Sequence, residues 1–244
     1  MKTMMPSRQA TCQFGLTTLL CMMGVLAGGM SGCGKKEAPA GHTPSIPEAA
    51  PAVATSSSEG WVEMETLGPG KWVAIEGAAD LGWDDESRVM RIEVGTDLNG
   101  VRWTGPIPTV PYAVELEARQ MSGSDFFCGL TFPVRAGSES VSLIVGGWGG
   151  SLVGISSIDG LDASENSTAS QHDFENQRWY RIRVEVGVER LQAWIDDRQV
   201  VDAHTEGQRL SLREGPIEDC APFGLATWMT SAELRGVKWR KLGD

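Results

Sequence analysis

The chain has 244 residues, 41% of them hydrophobic and 7% aromatic, with 30 glycines, 12 prolines and a formal net charge of −11. That balance excludes a nucleic-acid surface, because phosphate binding needs clustered Lys and Arg and no basic tract is present. Abundant glycine, punctuating prolines and apolar runs of Val, Ile, Thr and Trp favour β over α structure, and all-β folds of this length often stay single domains.

Lys2 and Arg8 precede an apolar run over 14–30, which ends in Met30-Ser31-Gly32-Cys33. Charge, apolar core and small-residue site in that order predict a signal peptide over 1–33, with a core short for a membrane span. Ser31-Gly32-Cys33 resembles a bacterial lipobox. That resemblance implies that Cys33 is lipidated and that the protein is an exported, membrane-anchored lipoprotein of the bacterial cell envelope. Cys12 and Cys21 leave with the leader, so Cys128 and Cys220 remain as thiols. An exported compartment permits a disulfide between them. The alternative is two separately buried thiols. Residues 34–59 begin Lys35-Lys36-Glu37 and continue in Ala, Pro, Ser and Thr without apolar periodicity, the composition of a flexible tether. The folded domain is expected over 60–244.

In that domain, strands are expected over 62–66 and 71–76, around the turn Gly68-Pro69-Gly70. A loop follows over 78–86. Met90, Ile92 and Val94 alternate with Arg91 and Glu93, the period of a half-buried strand. Pro106, Pro108 and Pro111 make an extended connection. The cleanest alternation is 112–119, with Tyr112, Val114, Leu116 and Ala118 on one face and Glu115, Glu117 and Arg119 on the other. Strands are further expected over 126–132, 141–145 and 151–155. Residues 164–178 read as a polar loop. Tyr180, Ile182, Val184 and Val186 alternate with Arg181, Arg183 and Glu185, and Asp196-Asp197-Arg198-Gln199 has the composition of a hairpin turn. Strands over 223–228 and 234–239 close the chain. Many short strands with even turn spacing and no long amphipathic helix predict an all-β, two-sheet antiparallel jelly-roll sandwich.

Between two of these strands lies Gly146-Gly147-Trp148-Gly149-Gly150, followed by an acidic loop holding Asp159, Asp162, Glu165 and Asn166. Glycine doublets allow a tight turn with φ > 0, so Trp148 stands either on an exposed rim or at a core corner. Oxygen ligands in a loop suit calcium, with Asp159, Asp162 and Glu165 as candidate ligands, although Asp-rich glycine turns are common without a metal. No other cofactor is implied. Asn166-Ser167-Thr168 fits the glycosylation acceptor pattern.

The run 112–119 followed by 123–130 resembles the paired central strands of the 3-keto-disaccharide hydrolase domain family. The segments 146–150, 179–184, 193–197 with 200–201, and 224–239 are similar to further strands of that family, so the resemblance spans Trp61 to Leu242. It implies a laminin-G-like, concanavalin A-type jelly roll acting on carbohydrate, by hydrolysis of a glycosidic or 3-keto-glycosidic bond. A non-catalytic, lectin-like surface module is the alternative on the same fold, and a structural module without a small ligand is a third.

Glu115 and Glu117 are the candidate catalytic pair. Residues i and i+2 share a strand face about 6.5–7 Å apart, within reach of the carboxyl separations of about 5–9.5 Å that glycoside hydrolysis uses. Jelly-roll glucanases resemble this pattern, but add a third acid where this chain has Arg119. The plainer reading is a solvated face pairing with Arg181, Arg183 and Glu185. Trp148 and Trp83 stand in loop or corner contexts as candidate stacking platforms. Trp179, Trp194 and Trp239 fall within strand patterns. Arg119 and Arg183 are candidates for binding sugar hydroxyls. His172 beside Asp173 is the remaining constellation for nucleophilic chemistry. The expected partners are a glycan or small glycoside and, through the N-terminal lipid, a membrane.

Overall fold

The computed structural model describes residues 60–64 and 71–243; the leader, Cys33, the tether and the turn at Gly68-Pro69-Gly70 lie outside the described residues. The strands are β1 (Val62–Glu63), β2 (Trp72–Ala74), β3 (Leu81–Asp84), β4 (Val89–Ile92), β5 (Leu98–Trp103), β6 (Tyr112–Gly123), β7 (Cys128–Val134) and β8 (Glu139–Gly146). They continue as β9 (Leu152–Ser156), β10 (Ser170–Gln171), β11 (Tyr180–Val186), β12 (Arg190–Ile195), β13 (Arg198–His204), β14 (Gly224–Trp228) and β15 (Thr230–Lys241). One sheet, the first sheet below, runs β13-β12-β11-β6-β15-β4-β3, with β1 also paired to β15. The second runs β10-β9-β8-β7-β14-β5-β2. Every strand pairing is antiparallel. The described residues therefore form the expected all-β sandwich.

The alternation read in the sequence decides which face of each strand turns inward. Tyr112, Val114, Leu116 and Ala118 of β6 and Tyr180, Ile182, Val184 and Val186 of β11 are buried in the main core. Leu130 and Phe132 of β7, Leu143 and Val145 of β8 and Leu225 of β14 belong to the same core. Each large apolar side chain removed from water in this way contributes about 1.5–3 kcal/mol before conformational entropy is counted. The sheets are also tied by a polar contact: the buried Tyr112 hydroxyl donates to the Pro133 carbonyl at 2.6 Å.

A second, smaller apolar cluster occupies the opposite face of the second sheet. It contains Phe126, Ile144, Leu152, Ala163, Ile217 and Ala226. The acidic loop contributes Ala163, and the 3-10 turn Pro216–Cys220 contributes Ile217. All seven residues of β7 are buried as a result, because both faces of that strand are covered.

The disulfide is corrected by this arrangement. Cys128 points into the main core, whereas Cys220 belongs to the cluster on the other face of the sheet, and both are free and buried. The loop expected over 78–86 contains edge strand β3, paired to β4. Gly82 and the acids after Trp83 break the alternation that would have marked it. The loop over 164–178 likewise carries the two-residue edge strand β10.

Candidate functional site

The Gly-Trp stretch joins β8 to β9, which are hydrogen-bonded neighbours. Gly146, Gly149 and Gly150 take φ of 82°, 91° and 100°, and Trp148 itself lies in the left-handed region at φ 49°, ψ 53°. A side chain at Gly146 would meet the Phe127 ring at 2.9 Å, so the turn needs glycine at that point for space as well as for φ. The result is a tryptophan held 44% exposed on a tight turn. A bulky residue in this conformation costs about 1–2 kcal/mol, which the surrounding hairpin must offset.

Trp148 borders a cavity of about 350 Å³ over the outer face of the second sheet. Its apolar wall includes Phe126, Ile144, Ile217 and Trp228. Its polar wall is Asp125, Ser156, Asp162, Arg213 and Glu214. Asp162 is the best anchored of these. Its Oδ1 accepts from the Ser156 hydroxyl and from the Ala163 N–H at 3.3 Å, and its Oδ2 accepts from Arg213 Nη1 at 2.8 Å. Asp125 Oδ1 accepts the Phe126 N–H at 2.7 Å, while the Thr230 hydroxyl bonds both the N–H and the carbonyl of Asp125 at 3.1 Å. Aromatic and hydrogen-bonding groups lining one cavity suit a ligand that presents both apolar and polar surface.

Asn166 fixes the acidic loop beside the cavity. Its Nδ2 donates to the carbonyls of Ile155 (2.8 Å), Asp162 (2.8 Å) and Leu161 (3.1 Å), and its Oδ1 accepts from the Thr168 N–H and hydroxyl at 3.0 and 2.6 Å. The three candidate calcium ligands are engaged separately. Asp159 Oδ1 accepts the Arg209 N–H at 2.7 Å, Glu165 Oε2 accepts the Asp162 N–H at 3.3 Å, and Asp162 serves the cavity wall. Among the described residues no three His, Cys, Asp or Glu side chains gather as a metal site.

Glu115 and Glu117 lie elsewhere, on the outer face of the first sheet. The register sets Glu115 between Arg183 and Lys238, and Glu117 between Arg181 and Arg235. The ion pairs form with β15: Lys238 Nζ to Glu115 at 3.2 Å and Arg235 Nε to Glu117 at 2.8 Å. Arg181 instead pairs with Asp197 at 2.5 Å, and Arg183 with Glu185 at 3.6 Å. Arg119 and Arg235 lie over the Trp179 ring, and Arg183 over that of Trp194, at 4.1 to 4.6 Å. Trp179 and Trp194 thus stand on this outer face under arginines, whereas Trp239 packs against the main core. Trp83 packs partly against the core and donates from Nε1 to Asp85 at 2.8 Å, near Arg91, Arg119 and Trp179.

At the centre of that face Glu233 accepts from Arg91 Nη2 at 2.6 Å and Arg119 Nη2 at 2.5 Å, with its side chain only 4% exposed. Burial raises its carboxyl, the hydrogen bonds from both guanidiniums lower it, and the balance lies below the ordinary carboxylate value. His172 packs against Phe174 with ring centroids 4.5 Å apart, and burial lowers its pKa.

Sequence reasoning missed Phe126, Trp228, Asp125, Arg213 and Glu214 as cavity residues. A signal was present for two apolar members. Ile144 stands out of phase with Val141, Leu143 and Val145, and Trp228 out of phase with Leu225, so both occupy a face that should be polar unless it is covered.

No family model matches this sequence, and no curated protein matches it. Among solved structures the chain is similar to the carbohydrate-binding module CBM66 from Bacillus subtilis, at 17% identity and a TM-score of 0.48 over 70% of this chain and 95% of that one. It is similar to the β-glucanase of Bacillus licheniformis, at 11% identity and a TM-score of 0.46 over 76% and 100% of the two chains. It is also similar to domain 4 of AbnA, a GH43 extracellular arabinanase from Geobacillus stearothermophilus in complex with arabinotriose, at 9% identity and a TM-score of 0.45 over 70% and 82%.

Proposed function

We propose that the protein binds a glycan in the cavity beside Trp148, as a lectin-like module tethered to the cell envelope through lipidated Cys33. The observation that carries this reading is Trp148 itself, exposed and held in a left-handed turn at the edge of a cavity that Trp228 also lines. Sugars present C–H faces that pack on aromatic rings, and their hydroxyls suit the carboxylates and guanidinium of the polar wall. Glycan arrays followed by calorimetry on the purified protein test it. Trp148→Ala is expected to weaken binding by about tenfold or more, the loss of one stacking platform. Affinity unchanged in a folded Trp148→Ala protein would sink the proposal. Retention of Cys33→Ser in the membrane fraction would remove the lipid anchor.

A second reading is hydrolysis of a 3-keto-glycoside, the activity of the family this sequence resembles. It is favoured by the presence of Asp125, Asp162 and Glu214 around one cavity. Release of reducing sugar from disaccharides and 3-keto-glycosides decides between the two. Turnover that survives Glu115→Gln with Glu117→Gln would remove that pair, and turnover abolished by Asp125→Asn or Glu214→Gln would locate the chemistry in the cavity.

A further inference from the structure

We propose that the cavity selects amino sugars that carry a free, protonated amine, in preference to neutral, N-acetylated or acidic sugars. This inference rests on the glycan reading above and adds the charge of the ligand to it. Its basis is a local imbalance. Asp125, Asp162 and Glu214 line the cavity with one cation, Arg213, and that guanidinium is paired with Asp162. Among the described residues Asp125 and Glu214 have no cationic partner.

On the opposite face of the molecule Glu115, Glu117 and Glu233 each have a lysine or arginine, and two of those arginines, Arg119 and Arg235, stack on Trp179. At the cavity, among the described residues, the aromatic rings have no such cation over them. Trp148, Trp228 and Phe126 border the same space as the two uncompensated carboxylates. A ring face and a carboxylate both attract an ammonium group, one through the quadrupole and the other through its charge. An ammonium on a pyranose ring would supply the cation that the protein side lacks, while the C–H face of the ring stacks. An acidic sugar would bring a further negative charge to an uncompensated site. The net charge of −11 acts in the same direction over longer range, drawing cationic chains and repelling anionic ones.

The test is calorimetric titration of the purified full chain with glucosamine oligomers, their N-acetylated counterparts, neutral cello-oligosaccharides and oligouronates. Titrations are run at a pH where the amines are protonated and again where they are neutral. Glucosamine oligomers are expected to bind about tenfold or more tighter than the others when protonated, with the advantage falling as salt or pH rises. Glu214→Gln, at an exposed position, is expected to weaken binding of the protonated glucosamine oligomers more than that of neutral oligomers, and so to reduce the preference. Asp125→Asn serves as the second variant, with its fold checked by circular dichroism. Neutral oligomers binding as tightly as protonated ones would overturn the amine selectivity and leave the glycan reading standing. Binding of no sugar in the panel would overturn both. A simple quaternary ammonium ion or lysine peptide that binds as tightly as the glucosamine oligomers would overturn the amino-sugar assignment.

Discussion

Arg213 donates from Nη1 to Asp162 Oδ2 across 2.8 Å, joining the segment before the 3-10 turn to the acidic loop at the cavity wall. Asp162 is 16% exposed at its side chain and Arg213 63%, so the pair is anchored from the acid's side. Arg213→Ala is expected to weaken glycan binding about three- to tenfold, since it removes a wall and leaves Asp162 without its cation. Calorimetric titration of the variant beside wild type measures this, with melting temperature as the check on folding.

Trp148 sets function against stability. Trp148→Gly relieves a left-handed backbone that glycine adopts freely, so the variant is expected to be more stable by about 0.5–1 kcal/mol while losing glycan affinity. Urea denaturation and glycan titration of the same preparation give both numbers.

Glu233 predicts an acid-sensitive fold. Its folded pKa lies below the ordinary value, so the unfolded chain binds more protons between the two pKa values. The stabilisation is fully present above the unfolded carboxyl pKa of about 4.3 and is lost as pH falls through the lower folded pKa. Glu233→Gln is expected to be about 2 kcal/mol less stable at neutral pH and to show a flatter acid limb. Urea melts at a series of pH values test both parts.

The two thiols are expected to be inert in the folded protein. Burial pushes Cys128 and Cys220 up to about 12, and the thiolate is the reactive form. A thiol reagent at pH 8 is expected to label neither residue in the folded domain and both on denaturation, with or without prior reduction. Recovery of both thiols only after reduction would contradict the structure.

Tyr112 bridges the sheets through its hydroxyl, and that bond is buried. Tyr112→Phe leaves the Pro133 carbonyl without its donor, with an expected cost of about 1–2 kcal/mol and no change in glycan binding. Chemical denaturation measures the cost, and a glycan titration checks that the effect stays in the core.

Much of the sandwich was legible in the sequence, because a strand's side chains repeat with period two and burial sorts them by polarity. Tyr112 to Ala118 and Tyr180 to Val186 declare their inner faces by alternation alone, and the glycines around Trp148 declare a tight turn. The same pattern shows that Glu115 and Glu117 share a face. It does not say what stands opposite, and antiparallel pairing with β15 supplies Lys238 and Arg235 from more than a hundred positions away. Nor does alternation say which outer face will be covered. Phe126, Ile144, Ala226 and Trp228 form an apolar outer surface only when the acidic loop and the 3-10 turn Pro216–Cys220 fold across the second sheet. The sequence by itself determined most of the strands, their inward faces and the tight glycine turn around Trp148, since these depend on neighbours within a few residues. Only the tertiary structure decided that Trp148 meets Trp228, Asp125, Asp162 and Glu214 around one cavity, because those groups come from segments brought together by strand pairing and loop packing, which local pattern does not encode.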